Sequence, residues 1–272
     1  MTIKEALFFG ESRVGLHETN LIISHLSKLS FTALKLYNDE ILQQVDLFYE
    51  YVKRRQRGEP LQYILGEWDF MGFTFKVDKR ALIPRQETEL LVEEVLGYVK
   101  SLEKENINVL DMCTGTGCIA LSVACLAEAK NISVTAVDIS DDALSLAEEN
   151  LFKFRLEENQ VKFIKSDLFE NITGLFDVIV SNPPYILTKD MAGLNETVKN
   201  YEPHLALDGG NDGLDIYKKL IPESKKFLYP SGRLFLEIGS DEVESLTINT
   251  GFKNVKMKQD YAGLNRIIIG EC

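Results

Sequence analysis

Residues 107–118, INVLDMCTGTGC, decide the fold. The apolar run from Ile107 to Met112 lacks helical spacing and carries an acid, Asp111, at its end; Cys113-Thr114-Gly115-Thr116-Gly117 then turns, and a helical apolar pattern opens at Cys118. Gly115 and Gly117 permit a tight turn whose backbone comes close to a ligand at a helix N-terminus. Strand, glycine turn and helix in that order are the first unit of an alternating series.

Downstream the series continues with SVTAVD (133–138), a helical pattern over 141–154, VKFIKSD (161–167) and FDVIVSN (176–182). This spacing predicts an α/β fold, a mostly parallel sheet with right-handed crossovers and helices on both faces. A helix near 214–228, the strand GRLFLEIG (232–239) and a helix after Ser240 follow. Two closing runs, GFKNVKM (251–257) and NRIIIG (265–270), are expected to form an antiparallel pair at the sheet edge, which brings the strand count to seven.

Upstream, WDFMGFTFKV (68–77) alternates aromatics around Gly72 and predicts a β-hairpin, and ALIPR (81–85) leads into an amphipathic helix over 87–101. The first 65 residues read as helical. Thr2 and Glu5 are spaced as a capping box, and Leu21, Ile22, Leu26 and Leu29 recur at helical intervals. A further helix is predicted from Asn38, with Asp39 and Glu40 in its first turn, Ile41, Val45, Phe48 and Val52 as its apolar stripe, and Lys53, Arg54, Arg55 and Arg57 before Gly58. The expected division is a helical docking domain over 1–65, a hairpin linker over 66–84 and an α/β catalytic domain over 85–272.

A chain of 272 residues, 45% apolar and 26% charged, has the composition of a folded protein of one large or two modest domains. Thirty basic against 42 acidic residues leave a net charge of −12, which repels phosphate backbones and argues against a dedicated nucleic-acid binder. The basic cluster at 53–57 reads as compensation of a helix dipole. No apolar run approaches the roughly 18 residues of a membrane span, and Glu5 and Glu11 stand where a secretory signal is cationic, so the chain is read as cytoplasmic. Cys113, Cys118, Cys125 and Cys272 contain no CxxC pair and His17, His25 and His204 no metal spacing, so no metal site is expected.

Ligands of open α/β sheets bind beyond the carboxyl ends of the strands, and here those ends form a series: Asp111, Asp138, Asp167 and Asn182-Pro183-Pro184-Tyr185. Gly115-x-Gly117-x-x-Ala120 also fits a dinucleotide fingerprint, with Asp138 21 residues beyond Gly117, where an acid accepts from ribose hydroxyls. An NAD-type or another adenosine-containing cofactor satisfies that pattern, and a bare helix-capping role for Asp138 remains the alternative. Asn182 to Tyr185 break the tie. Two prolines stiffen the segment, the Asn182 side chain and the Pro183 backbone offer two fixed acceptors, and Tyr185 offers a flat ring, together a receptor for a planar group bearing NH2. Accepting both hydrogens raises electron density on a poorly nucleophilic nitrogen, and the implied electrophile is a methyl sulfonium held over Gly115 and Gly117. Asp111 is expected to meet the donor's ammonium and Asp167 its adenine amino group.

These residues resemble the S-adenosylmethionine-dependent methyltransferases of the seven-strand Rossmann-like type, and within them the glutamine methyltransferases of peptide-chain release factors (PrmC/HemK). GEPLQYILGEWDFMGFTFKV, LIPRQETELLVE, VLDMCTGTGCIAL, VDIS, SDLF, IVSNPPYI, YEPHLALDGGNDGLDIYKKL and LFLEIGSDE carry the resemblance in order over residues 58–240. Departures are Gln86 for a usual proline, Asp241-Glu242 where glutamine is common, and Cys113 in a place often held by glycine.

The resemblance implies that Cys113, Thr114, Gly115, Thr116, Gly117, Asp138, Leu168 and Asn182 bind S-adenosyl-L-methionine, which leaves as S-adenosyl-L-homocysteine. It implies that Asn182, Pro183, Pro184 and Tyr185 receive the glutamine of the Gly-Gly-Gln loop of class I release factors. Arg85 and Glu87 are expected to help close the pocket, with Glu202-Pro203 and the turn over 209–213 shaping another wall. A monomer acting on a protein, with no membrane and no nucleic-acid substrate, is the expected context. The rivals are a glutamine methyltransferase acting on a ribosomal protein, an adenine-amine DNA or RNA methyltransferase, an NAD-dependent oxidoreductase, which leaves Asn182 to Tyr185 without a role, and an idle binding module.

Overall fold

The computed structural model describes residues 1–127, 131–154, 156 and 160–272, which form two units, Met1–Glu67 with Asn195–Tyr201 and Trp68–Leu194 with Glu202–Cys272. The first unit holds α1 (Ile3–Val14), α2 (Leu16–Ser27), α3 (Phe31–Leu36), α4 (Val45–Gln56) and α5 (Leu61–Leu65). At the start of α1 the Thr2 hydroxyl accepts from the Glu5 N–H and the Glu5 carboxylate accepts from the Thr2 N–H. Ile3, Ile22, Ile23, Leu34, Phe48 and Val52 make its core.

The helix expected from Asn38 begins instead at Val45. The first N–H groups of a helix have no partner inside it, and residues 38–42 supply partners for α1: Ile3 and Lys4 donate to the carbonyls of Glu40 and Asn38, and Leu42 donates to that of Met1. Ile41 therefore bridges to Thr2 and stays exposed rather than joining the apolar stripe. The basic residues at the end of α4 are engaged in ion pairs, Arg54 with Glu59 and Arg55 with Glu18.

From Trp68 the second unit holds the rest of the hairpin β1 (Glu67–Phe70) and β2 (Phe73–Lys76), followed by α6 (Gln86–Ser101), β3 (Asn106–Met112), α7 (Cys118–Leu126), β4 (Asn131–Asp138), α8 (Asp141–Leu151), β5 (Val161–Lys165) and β6 (Phe176–Ser181). A short helix, α9 (Glu196–Tyr201), belongs to the first unit. Then come α10 (Asp215–Ser224), β7 (Leu228–Glu237), α11 (Glu242–Asn249), β8 (Lys253–Gln259) and β9 (Asn265–Glu271). Phe70 and Phe75 of the hairpin are buried in the same core as α6 and α7.

The sheet order is β5-β4-β3-β6-β7-β9-β8. The first five of these strands are parallel to one another, and β9 runs antiparallel to both β7 and the edge strand β8. The chain winds outward from β3 to β5 and returns to β6, so the order reverses between β3 and β6, where ligands of such sheets bind. β6 is buried at all six positions and α7 at its first seven, as central elements of a two-sided sheet must be. No helix among the described residues is long and apolar enough to cross a membrane.

Candidate functional site

A solvent-accessible cavity lies beyond the carboxyl ends of β3, β4, β5 and β6. Of the residues predicted for the site, Arg85, Cys113, Thr114, Gly115, Thr116, Asp138, Asp167, Leu168, Asn182 and Pro184 line it, as does Pro203 of the expected further wall but not Glu202 or the turn over 209–213. Asp111, Gly117, Glu87, Pro183 and Tyr185 do not. Wall residues that sequence reasoning did not single out include Arg80, Thr88, Ile139, Ser166, Leu205 and Ile216.

β3 runs one residue past Asp111, and the Ser181 hydroxyl at the end of β6 donates to the Met112 carbonyl (2.6 Å), locking the two strand ends at the reversal. Asp111 is thereby turned beneath the loop. Its Oδ2 accepts from Thr114 Oγ1 (2.6 Å) and the Ala120 N–H (3.1 Å), while Oδ1, fully buried, has no partner among the described residues. Burial pushes this carboxyl up to about 7 against those two hydrogen bonds.

The loop itself is bent through Cys113 (φ 62°), Gly115 (φ 56°) and Gly117 (φ 79°). Cys113 is in the left-handed region that glycine adopts without strain, which is the physical cost of having cysteine there. Leu168, on the same cavity, is also left-handed at φ 46°. Strained non-glycine residues concentrate at functional sites, and these two face one cavity.

Asp138 joins two elements. Its Oδ2 accepts from the Gly115 N–H (2.9 Å) and its Oδ1 from the Ser140 N–H (3.0 Å), and Ser140 in turn caps α8 through the Ala143 N–H. Burial raises its carboxyl above the usual range while these backbone donors oppose the rise. Each oxygen keeps a lone pair for a further donor. Next to it on the wall, the Ile139 side chain is 46% exposed, an apolar surface for a flat ring.

On the opposite side, Asn182 Nδ2 donates to Thr88 Oγ1 (3.1 Å), and Thr88 Oγ1 donates to Glu237 Oε2 (2.7 Å). Among the described residues no hydrogen bond engages Asn182 Oδ1 or the Pro183 carbonyl. After Tyr185 the chain pairs with the turn at 207–210: Ile186 donates to the Leu207 carbonyl and Gly209 to that of Ile186. A Cβ at Gly209 would lie 2.7 Å from the Tyr185 Cα, and one at Gly239 would overlap the Tyr185 ring, so glycine at both positions lets this segment seat. Burial pushes the Tyr185 hydroxyl up to about 12.

Arg85 reaches the wall with its guanidinium on Glu202, whose carboxylate accepts from Arg85 Nη2 (2.5 Å) and the Ile83 N–H (3.1 Å). Glu87, in the first turn of α6, is exposed. The Glu202 side chain is 1% exposed, so Glu202→Ala leaves the buried Ile83 N–H without its acceptor and removes the partner of the part-exposed Arg85; a loss of about 1–3 kcal/mol is expected, measured as a fall in the urea midpoint.

Family models match this chain twice, the methyltransferase small domain over residues 88–210 and the PrmC N-terminal domain over residues 12–66. The chain is 38% identical over 259 residues to a release factor glutamine methyltransferase of Thermodesulfovibrio yellowstonii, covering 93% of this chain and 91% of the relative. A protein of the same name from Clostridium acetobutylicum is 37% identical over 286 residues, covering 99% and 98%. Among solved structures, the catalytic domain of hMettl16 in complex with MAT2A 3′UTR hairpin 6 aligns over 81% of each chain, with a TM-score of 0.58 and 16% identity, a likeness of fold.

Proposed function

The chain belongs to the release factor glutamine methyltransferases, enzymes of the protein-(glutamine-N5) methyltransferase class, and on that premise we propose that its methyl donor is S-adenosyl-L-methionine. The acceptor in this reading is the side-chain amide nitrogen of the glutamine in the Gly-Gly-Gln loop of class I peptide-chain release factors. The observation that carries it is one cavity with a glycine loop and Asp138 on one wall and Asn182 on another. The enzyme then works in the cytoplasm as a monomer, with a protein and no nucleic acid as acceptor.

The residues present fit the donor. Asp138 has lone pairs for ribose hydroxyls, Ile139 and Leu168 offer apolar surface for adenine, and Asp167 is on the wall for its amino group. Asp111, which does not line the cavity, supports the loop from beneath through Thr114 and the Ala120 N–H. Gly115, Thr114, Thr116 and Cys113 line the space between. When bound, S-adenosyl-L-methionine supplies a methyl group on a positively charged sulfur and is released as S-adenosyl-L-homocysteine.

What the chain contributes to reaction is chiefly alignment. A primary amide nitrogen is a poor nucleophile because its lone pair is delocalised into the carbonyl. Asn182 Oδ1 and the Pro183 carbonyl, each accepting one amide hydrogen, draw density onto that nitrogen and fix its direction. Pro183 and Pro184 hold these acceptors still, and Tyr185, seated on Gly239, backs them. A proton leaves nitrogen after transfer, so no buried general base is required.

The test supplies labelled S-adenosyl-L-methionine to the enzyme with a class I release factor, a large-subunit ribosomal protein and plasmid DNA together, and locates the label by mass spectrometry. Label on the glutamine of the Gly-Gly-Gln loop is expected. Label confined to the ribosomal protein or the DNA contradicts the reading.

A further inference from the structure

We infer that Thr88 and Glu237 are positioning residues that fix which way the Asn182 amide points, an inference that rests on the reading of Asn182 as the receptor for the acceptor amide. An asparagine side chain has two ends of similar shape and opposite chemistry. Only the oxygen end can accept hydrogens from a glutamine amide; the NH2 end, presented instead, would meet that NH2 donor to donor. Something must therefore choose the end.

The choice is forced through the chain of bonds. An ionised Glu237 carboxylate has no proton to give, so the Thr88 hydroxyl spends its single hydrogen on Glu237 Oε2 (2.7 Å). Thr88 Oγ1 is then an acceptor toward Asn182, and Asn182 must offer it the NH2 end (3.1 Å), which leaves Oδ1 for the cavity. The relay is rigidly mounted. Thr88 is 3% exposed on the first turn of α6, Glu237 is 2% exposed at the end of β7, and Tyr217 Oη from α10 donates to the Glu237 backbone carbonyl (2.7 Å). Residues 88, 182 and 237 come from three separate parts of the chain: the start of α6, the end of β6 and the end of β7.

The direction of the relay depends on Glu237 being charged. Burial, opposed by the Thr88 hydrogen bond, pushes its carboxyl up to about 7. The titratable and charged groups around it are Arg85 and Glu87 at the start of α6, Arg266 of β9, Tyr185 after β6, Tyr217 of α10 and Cys118 of α7. As pH falls through about 7 the carboxyl takes a proton and can donate it to Thr88. The Thr88 hydrogen is then released toward Asn182, and the NH2 end is no longer held away from the cavity. Methyl transfer should thus be lost toward acid and present toward base. Asp111 is also pushed up to about 7, so an acid limb in the wild type alone does not identify Glu237.

The experiment compares the full-length wild type with Thr88→Val, Thr88→Ser and Glu237→Gln between pH 5.5 and 8.5. Turnover and KM are measured with a class I release factor, donor binding by calorimetry, and the Asn182 side-chain amide by 15N NMR, assigned with Asn182→Asp. Expected are a fall of at least ~10-fold in kcat for Thr88→Val, with KM and donor affinity within ~3-fold, and recovery in Thr88→Ser, as for other partners that orient a contacting side chain. The Asn182 amide resonance should move with a midpoint near pH ~7 in the wild type, and that movement should vanish in Glu237→Gln. Equal loss in Thr88→Val and Thr88→Ser, or an Asn182 resonance that titrates alike in wild type and Glu237→Gln, overturns the inference. If Thr88→Val does not fold, the spectra of wild type and Glu237→Gln decide alone. A wild type that leaves the release factor unmethylated removes the proposed acceptor, and the spectra still decide the relay.

Discussion

Asn182→Ala should lower turnover on a class I release factor by at least ~10²-fold while affinity for S-adenosyl-L-methionine changes by no more than a few-fold. The substitution removes a preorganised acceptor on the reacting nitrogen, an interaction that strengthens as positive charge develops there and so acts on kcat rather than on binding alone. Removing one such polar contact in other enzymes costs about 10²–10³ in kcat. The donor-facing wall is left intact, because Gly115, Asp138 and Leu168 belong to other strand ends. Single-turnover rates and calorimetry of the donor on the same preparation separate the two effects. Turnover within a few-fold of wild type would remove the amide receptor from the mechanism.

The sheet was legible because its central strands are buried on both faces and so read as short continuous apolar runs, VLDM and FDVIVS, set between turn residues and helical patterns. The loop at 113–117 was legible because two glycines between a strand and a helix are a conformational requirement written in the residues themselves. The helix placed from Asn38 failed for a different reason. Local spacing there is helical, but the free N–H groups of α1 need acceptors, and the carbonyls at 38 and 40 meet that need in a non-helical conformation.

The partners of the site were mostly hidden for the same reason. Thr88 and Glu237 are 149 residues apart, and Ile83 and Glu202 are 119 apart, so no spacing rule joins them. A signal existed for one of them: Glu237 is an acid inside the apolar run LFLEIG, where a charge needs a buried partner. Asp111 shows the converse limit. Its place at a strand end suggested the cavity, but one further residue of strand, Met112, decides that the carboxylate points beneath the loop.

Asp138→Ala should reverse the pattern of Asn182→Ala, with donor affinity falling by about 10²-fold before any change in the chemical step is seen. In this proposal the carboxylate accepts from two ribose hydroxyls, and hydrogen bonds to a charged group are each worth about 1.5–3 kcal/mol, so the two together are of the order of two to four tenfold steps in Kd, the lower end being expected because water replaces part of the loss. A complication is structural. Asp138 already accepts from the Gly115 and Ser140 N–H groups, so alanine also releases the loop. Asp138→Asn alone does not separate the two contributions, because the NH2 that replaces one carboxylate oxygen meets a backbone N–H or a ribose hydroxyl donor to donor; the choice of ligand does. Adenosine and S-adenosyl-L-homocysteine serve as probes beside a 2′,3′-dideoxy analogue of the latter. If Asp138 contacts ribose, the dideoxy analogue binds wild type poorly and discrimination disappears in Asp138→Ala; if it only staples the loop, all three ligands lose affinity in the variant by the same factor. Unchanged affinity for every ligand by calorimetry would exclude both roles.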